Sequence, residues 1–160
     1  MANDQDALSA LLRQEEALQF DAFSNEMALE IGMRLVEEAR RAGQAITVDI
    51  RRHGQQLFHC ALAGTSVDND RWIERKWRVV DRFGHSSYYM GRYYASRDTT
   101  IEAAALLDPR EYAAHGGAFP VIVKGVGPVG NVTVSGLPQE EDHRLVVRVL
   151  ADYLGVDVEA

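Results

Sequence analysis

The chain has 160 residues, enough for one domain spanning residues 1–160 with its own hydrophobic core. Its formal net charge of −7 argues against a nucleic-acid binder, because such proteins are usually basic. A single cysteine, Cys60, excludes an internal disulfide and a metal site built from several cysteines. The sequence shows no signal-peptide pattern and no apolar run of membrane-spanning length, so we expect a cytoplasmic protein without a membrane partner.

The first half of the chain is predicted to contain two helices followed by a β-hairpin. Apolar residues recur at helical spacing in both helices, and apolar and polar residues alternate in the strands. The predicted ranges are helices 4–18 and 24–42 and strands 45–51 and 55–62. A two-residue turn at His53 and Gly54 would connect the strands and place Asp49 opposite Phe58.

The second half is predicted to contain three helices, a second hairpin and a last helix. The predicted ranges are helices 69–83, 86–95 and 100–107, strands 121–123 and 129–136, and helix 138–154. In the second of these strands Val132 and Val134 point to one face, whereas Asn131, Thr133 and Ser135 point to the other. Two hairpins separated by helices predict an α/β (α+β) fold, in which helices pack on an antiparallel sheet.

Four segments resemble the haem-degrading-domain superfamily, which includes HbpS-like and GlcG-like proteins and the C-terminal domain of PduO-type proteins. These segments are Asp49–His59, Ala63–Lys76, Arg82–Tyr88 and His115–Asp142. The resemblance is nearest to a bacterial and fungal branch of that superfamily. It implies a profilin-like layered fold, haem as a candidate cofactor, and assembly into a homo-oligomer.

Two of the five histidines are candidates for ligand binding. His85 and His115 each lie beside glycine in a predicted loop, where the backbone can approach a ligand and the imidazole can reach it. If haem is bound, as the resemblance allows, either histidine could ligate its iron. Isolated histidines more often only satisfy hydrogen bonds, and this structural role is the alternative for both.

A row of arginines follows one face of the helix predicted at 69–83. Its members are Arg71, Arg75, Arg78 and Arg82. The row is either a solvated face or a binding surface for carboxylates or phosphates, which guanidinium groups bind through paired hydrogen bonds; Arg75 is its candidate binding residue. Lys76 lies one residue off the row, nearer Trp72, and is predicted to be partly buried at a pocket mouth.

These residues predict a ligand site where a glycine-containing loop meets the arginine-bearing helix. The loop residues are His115, Gly116 and Gly117. Paired glycines allow backbone N–H groups to approach a ligand, and Lys76 would supply positive charge. Asn131 and Thr133 either form the floor of this pocket or face solvent. Alternatively, the glycines only let the chain turn into the second hairpin.

The combined observations predict a protein that binds a tetrapyrrole or another anionic small molecule. Two alternatives stay open: an oligomeric scaffold without catalysis, and an enzyme acting on a small metabolite. The scaffold is suggested by the tyrosines at 88–94, which could form core or an interface, or could stack on a planar ligand. The enzyme would use His115, Lys76 and the polar strand residues from Asn131 to Ser135. Because the sequence shows neither a nucleophile elbow nor a phosphate-binding loop, no catalytic residue is assigned.

Overall fold

The centre of the computed structural model, which describes residues 2–159, is a five-stranded β-sheet. Its strands are β1 (Gln19–Phe20), β2 (Thr47–Arg52), β3 (Gln55–Ala61), β4 (Ala118–Val123) and β5 (Gly127–Ser135). Their order in the sheet is β1-β4-β5-β2-β3, with β1 parallel to β4 and the other neighbours antiparallel. The predicted fold of helices on a sheet is confirmed, and β5 occupies the middle of the sheet.

The helices of the described residues pack on both faces of this sheet. They are α1 (Ala2–Ala17), α2 (Asn25–Arg41), α3 (Val67–Phe83), α4 (Ser87–Ala95), α5 (Ile101–Ala105) and α6 (Gln139–Leu154). The hydroxyl of Ser24 accepts a hydrogen bond from the N–H of Met27 and caps α2, as the sequence predicts. Gly84 ends α3 with a φ of 72°, a left-handed conformation that suits glycine. No helix in this part of the chain is long and apolar enough to cross a membrane.

The main core lies between one face of the sheet and the helices α2 and α6. Alternate strand residues point into it, as the period of two predicts. The buried residues of the three central strands include Val48, Ile50, Val121, Val132 and Val134. Full burial of one such side chain contributes about 2 kcal/mol, so this face is a main source of stability.

The opposite face of the sheet is polar but buried, because α3 covers it. Asp49, Asn131 and Thr133 are each at most 1% exposed. The amide of Asn131 donates a hydrogen bond to Oδ1 of Asp81 on α3 at 3.0 Å, which satisfies one of the buried polar groups. Neither Asn131 nor Thr133 therefore faces solvent, and both lie between the sheet and the helix.

The predicted pairing of β2 with β3 is wrong by one residue. The turn at His53 and Gly54 forms as predicted, with φ angles of 51° and 80°. Beyond it, however, Leu57 is an extra residue in β3 and produces a β-bulge, so Asp49 lies opposite His59 instead of Phe58. A bulge adds no distinctive residue type to an alternating strand, and the sequence pattern therefore does not show it.

A second, smaller core lies where α4 packs against α3 and α5. It contains Val79, Met90 and Ile101, with Tyr89, Tyr93 and Tyr94 packed against them. The fourth tyrosine, Tyr88, packs on the ring of His143, with 5.0 Å between the ring centroids. The tyrosines are thus engaged within the chain, which favours the core role among the alternatives that the sequence leaves open.

Candidate functional site

A cleft of about 280 Å³ lies at the place where the sequence predicts a ligand site. Trp72 and Lys76 of α3 form one wall, and His115 borders it from the loop before β4. Ser135, at the end of β5, and Asp142, in the first turn of α6, complete it. We refer to this space as the α3–α6 cleft.

Lys76 is the buried cation of this cleft, with 3% of its surface exposed. Its Nζ donates hydrogen bonds to the carbonyl oxygen of Val134 at 3.0 Å and to Oδ2 of Asp142 at 3.1 Å. Within residues 2–159 it therefore has two partners for the three N–H donors of an ammonium group. Burial lowers the pKa of Lys76, and the charge and hydrogen bond of Asp142 oppose this shift.

Asp142 is the anionic partner of Lys76, and its side chain is also almost completely buried. The N–H of Leu137 donates to its Oδ1 at 3.1 Å. Burial raises the pKa of Asp142 to about 6, although Lys76 acts in the opposite direction. A carboxyl group with this pKa can accept and donate a proton near neutral pH, which is the property of a general acid or base.

The two glycines of the loop bring the backbone close to Lys76 and to α6. Gly117 has a φ of 138°, and a Cβ at this position would lie 2.8 Å from Nζ of Lys76. Only glycine therefore allows the backbone to pack this closely against Lys76. The N–H of Gly116 donates to Oε1 of Gln139 at 3.0 Å, which ties the loop to the start of α6. The glycines thus have a positioning role as well as allowing the chain to turn.

His115 lies at the exposed rim of the cleft, edge-on to Trp72, with 5.2 Å between the ring centroids. Burial of the imidazole, followed by the charges of Lys76 and Arg75, lowers its pKa. At neutral pH it is therefore a neutral ring that can both accept and donate a hydrogen bond. Arg75 packs its guanidinium on the face of Trp72 at 4.4 Å and donates to the carbonyl of Pro109, so it supports the wall from behind.

The structure brings His115, Gly116, Gly117 and Lys76 together, with Arg75 behind the wall, but separates His85, Asn131 and Thr133 from them. Nδ1 of His85 pairs with the carboxylate of Glu15 on α1 at 2.8 Å, outside the cleft lining. This contact raises the pKa of His85. Asn131 and Thr133 lie under α3, and of their polar strand face only Ser135 reaches the cleft.

Asp142 and Gln139 belong to the site but are not among the residues that the sequence singled out. In the sequence they resemble the polar first turn of any helix, where acidic residues favour the helix dipole. Their role follows from the position of the start of α6 at the end of β5, where Asp142 meets Lys76 of α3, 66 residues away in the chain. A buried lysine needs a nearby negative charge, but the sequence contains many acidic residues and does not indicate which one is the partner.

The chemistry of the cleft is that of hydrogen bonding and proton transfer. Among residues 2–159, no group of three or more His, Cys, Asp and Glu side chains is arranged to hold a metal ion. Lys76 is balanced by Asp142, and the neighbouring Asp68 adds a further carboxylate at the lining. The cleft therefore presents polar groups without a strong excess of positive charge.

Comparison with known proteins places the chain in a family. The model of the haem-degrading HbpS-like proteins matches residues 23–151. The chain belongs to this family. A UPF0303 protein of Streptomyces coelicolor is 53% identical over 92% of this chain and 94% of that protein. A UPF0303 protein of Edwardsiella ictaluri is 47% identical over 97% and 99% of the two chains.

Solved structures show the same fold. The Ybr137w protein is 33% identical and superposes with a TM-score of 0.86, covering 92% of this chain and 87% of that one. HbpS is 22% identical, with a TM-score of 0.66 and coverage of 86% and 93%. A PduOC:heme complex is 14% identical, with a TM-score of 0.69 and coverage of 87% and 99%. The superfamily resemblance seen in the sequence is confirmed, and the two more distant structures support the fold alone.

Proposed function

We propose that this protein binds a small polar metabolite in the α3–α6 cleft. The observation that carries the proposal is the buried amine of Lys76, which borders an open cleft and has a donor without a partner among the described residues. A buried donor of this kind gains a hydrogen bond when a ligand occupies the space beside it.

The size and lining of the cleft narrow the class of ligand. A volume of about 280 Å³ is slightly below the usual range of drug-sized pockets, so the ligand is small. Most of its lining side chains are polar or charged, and Trp72 supplies one flat apolar wall. The sequence suggests an anion, but Asp68 and Asp142 border the same space as Lys76. We therefore favour a ligand that is rich in hydrogen-bonding groups and carries little net charge.

The residues of the cleft do not fit a tetrapyrrole. A porphyrin needs a broad apolar slot beside its iron ligand, whereas only Trp72 and Leu137 are large apolar residues in this lining. The support for haem is that a structural neighbour, PduOC, was solved as a heme complex. A hemin titration separates the two proposals: we expect no saturable change in the Soret band at stoichiometric protein, and such a change would favour the tetrapyrrole.

Native mass spectrometry of the protein purified from its own host tests the proposal. We expect the wild type to retain a small ligand and His115→Ala to retain less of it, since His115 borders the cleft. The matched control is His53→Ala, which changes an exposed histidine in the β2–β3 turn. Both variants should keep the melting temperature of the wild type. Absence of a retained ligand, or equal retention by the two variants, would contradict the proposed site.

A further inference from the structure

We propose that Lys76 captures small carbonyl compounds as a reversible imine, with Asp142 as the proton donor and acceptor. This inference rests on the proposed function, because it assigns a substrate class to the same cleft. Three independent features support it: the choice of lysine at this position, the geometry around its nitrogen, and the carboxyl group beside it.

The choice of lysine is unusual for this chain. Of its 17 Lys and Arg residues, only Lys76 and Lys124 are lysines. An arginine has five donors and suits a purely structural cross-link between buried elements, whereas a lysine amine can lose its proton and act as a nucleophile. The chain thus places a lysine, its rarer basic residue, at its buried cationic position.

The geometry around Nζ fits a neutral amine. A neutral amine has two N–H donors and one lone pair, and Nζ has two acceptors, the carbonyl of Val134 and Oδ2 of Asp142. Two of the three free directions around Nζ are thus taken and one is open. Once Asp142 has taken up the proton of the ion pair, rotation about the Cε–Nζ bond can turn the lone pair into the open direction. The backbone of Gly117 packs against one side of the nitrogen, where a Cβ would lie 2.8 Å from Nζ, and the cleft borders the side chain of Lys76 elsewhere. A carbonyl carbon entering the cleft can therefore approach the nitrogen.

The surrounding groups favour this protonation state. Burial lowers the pKa of Lys76, and each unit of lowering increases the fraction of neutral amine near neutral pH about tenfold. Asp142 opposes the shift through its charge, but burial raises its own pKa to about 6, so it can carry the proton. His115 faces the cleft as a neutral ring, and Asp68 lies at its exposed side.

The reaction is balanced with the groups present. The nitrogen lone pair of Lys76 forms a bond to the carbonyl carbon, and the carbonyl oxygen takes a proton from Asp142 to give a carbinolamine. Asp142 then accepts the proton that the nitrogen loses. In the second stage Asp142 returns a proton to the hydroxyl, the C–O bond breaks, water leaves and a protonated imine forms beside the Asp142 carboxylate, which accepts the last N–H proton to give the neutral imine. Amine and carbonyl thus give imine and water, and hydrolysis reverses the sequence.

The cleft selects the class of carbonyl compound. Its volume of about 280 Å³ admits a compound of a few carbon atoms. The hydroxyl of Ser135 and the side chain of Gln139 border the space and can bond to a hydroxyl group of the substrate. The carboxylates of Asp68 and Asp142 disfavour an acidic substrate. A small hydroxyketone or hydroxyaldehyde is therefore the expected class, and hydroxyacetone is a suitable probe.

Reductive trapping tests the proposal on the unmodified protein. Wild-type protein is incubated with hydroxyacetone and cyanoborohydride near neutral pH, and each lysine is then quantified by peptide mass mapping. Lys124 is the internal control, because it is exposed and paired with Asp21. We expect several-fold more adduct on Lys76 than on Lys124, because burial lowers the pKa of Lys76. In urea the ratio should fall to near one.

Equal or preferential labelling of Lys124 in the folded protein would overturn the proposal. Lys76→Met should abolish the cleft adduct, and if this variant does not fold, the comparison of folded with unfolded wild type still decides. A Trp77→Phe variant leaves Trp72 as the tryptophan of the chain and reports binding by fluorescence. Quenching by hydroxyacetone without an adduct on Lys76 would refute imine formation but leave binding intact. Absence of both, together with no retained ligand from the host, would refute both proposals.

Discussion

Replacing Lys76 with methionine tests whether the amine of the cleft also holds three elements of the fold together. Its hydrogen bonds to Val134 and Asp142 join α3 to the end of β5 and to α6. Methionine nearly keeps the length of lysine but removes the ammonium group. Asp142 would then remain buried without its counter-charge.

The loss of unfolding free energy caused by Lys76→Met can be bounded from the structure. Removing one partner of a buried ion pair costs about 3–5 kcal/mol. Because burial raises the pKa of Asp142 to about 6, the carboxyl can take up a proton when Lys76 is lost, which places the expected cost near the lower limit. For a chain of this length, about 3 kcal/mol corresponds to a melting temperature roughly 6–12 °C lower.

Lys124→Met is the matched control. Nζ of Lys124 lies 3.1 Å from Oδ1 of Asp21, the same distance as in the buried pair, but 61% and 90% of these two side chains are exposed. Exposed ion pairs of this kind contribute at most about 1 kcal/mol, so we expect a small change. Both variants can be compared by urea denaturation followed by circular dichroism.

The result would refute the reasoning if the two methionine variants lost similar stability, or if Lys76→Met unfolded at the same urea concentration as the wild type. In either case the pair would not be buried and coupled as described. His115→Ala should keep the wild-type stability, because His115 lies at the exposed rim. Loss of stability in both the Lys76 and the His115 variants would mark both residues as structural.

Three further predictions concern the core, the pH dependence and the assembly. Val134→Asp should prevent folding, because it buries an unpaired charge in the central strand. The control variant Val126→Asp, in an exposed turn, should fold. A soluble, native-like Val134→Asp protein would contradict the core assignment. Burial lowers the pKa of His143 from 6.5 to about 4, so the unfolded state binds this proton first and stability should fall by roughly 3 kcal/mol as the pH drops through this window. His143→Gln should remove that part of the acid limb in urea titrations, and parallel pH curves for the two proteins would argue against it. We also expect a homo-oligomer, and sedimentation equilibrium that shows only monomer at micromolar concentration would exclude it.

Much of the fold could be predicted from the sequence because its signals are local. The alternation in β5 and the apolar stripe of α2 report directly which face is buried. Ser24 and Gly84 mark helix ends through hydrogen bonding and backbone conformation that depend on near neighbours. Such features survive any change in the packing of distant elements, and the structure confirms them.

The burial of the polar face of β5 could not be predicted from local sequence signals. Asn131, Thr133 and Ser135 have the composition of a solvent-facing strand, yet all three are buried because α3 packs over them. The bulge at Leu57 also leaves no signal in the sequence, because it changes the strand register without interrupting the alternation of apolar and polar residues. The burial of the polar face and the bulge both depend on which element packs or pairs with the strand. The alternation of residue types along a strand does not identify that element.

Some features of the candidate site could likewise be predicted from the sequence, whereas others depend on the tertiary structure. The sequence by itself determined that a glycine-paired loop with His115 precedes a hairpin and that Lys76 turns away from the arginine row. Only the tertiary structure decided that Asp142 is the partner of Lys76, that the backbone of Gly117 packs against the amine, and that His85 lies elsewhere with Glu15. The physical reason is that burial and charge pairing act through space, so the pKa of a side chain depends on contacts between residues far apart in the chain.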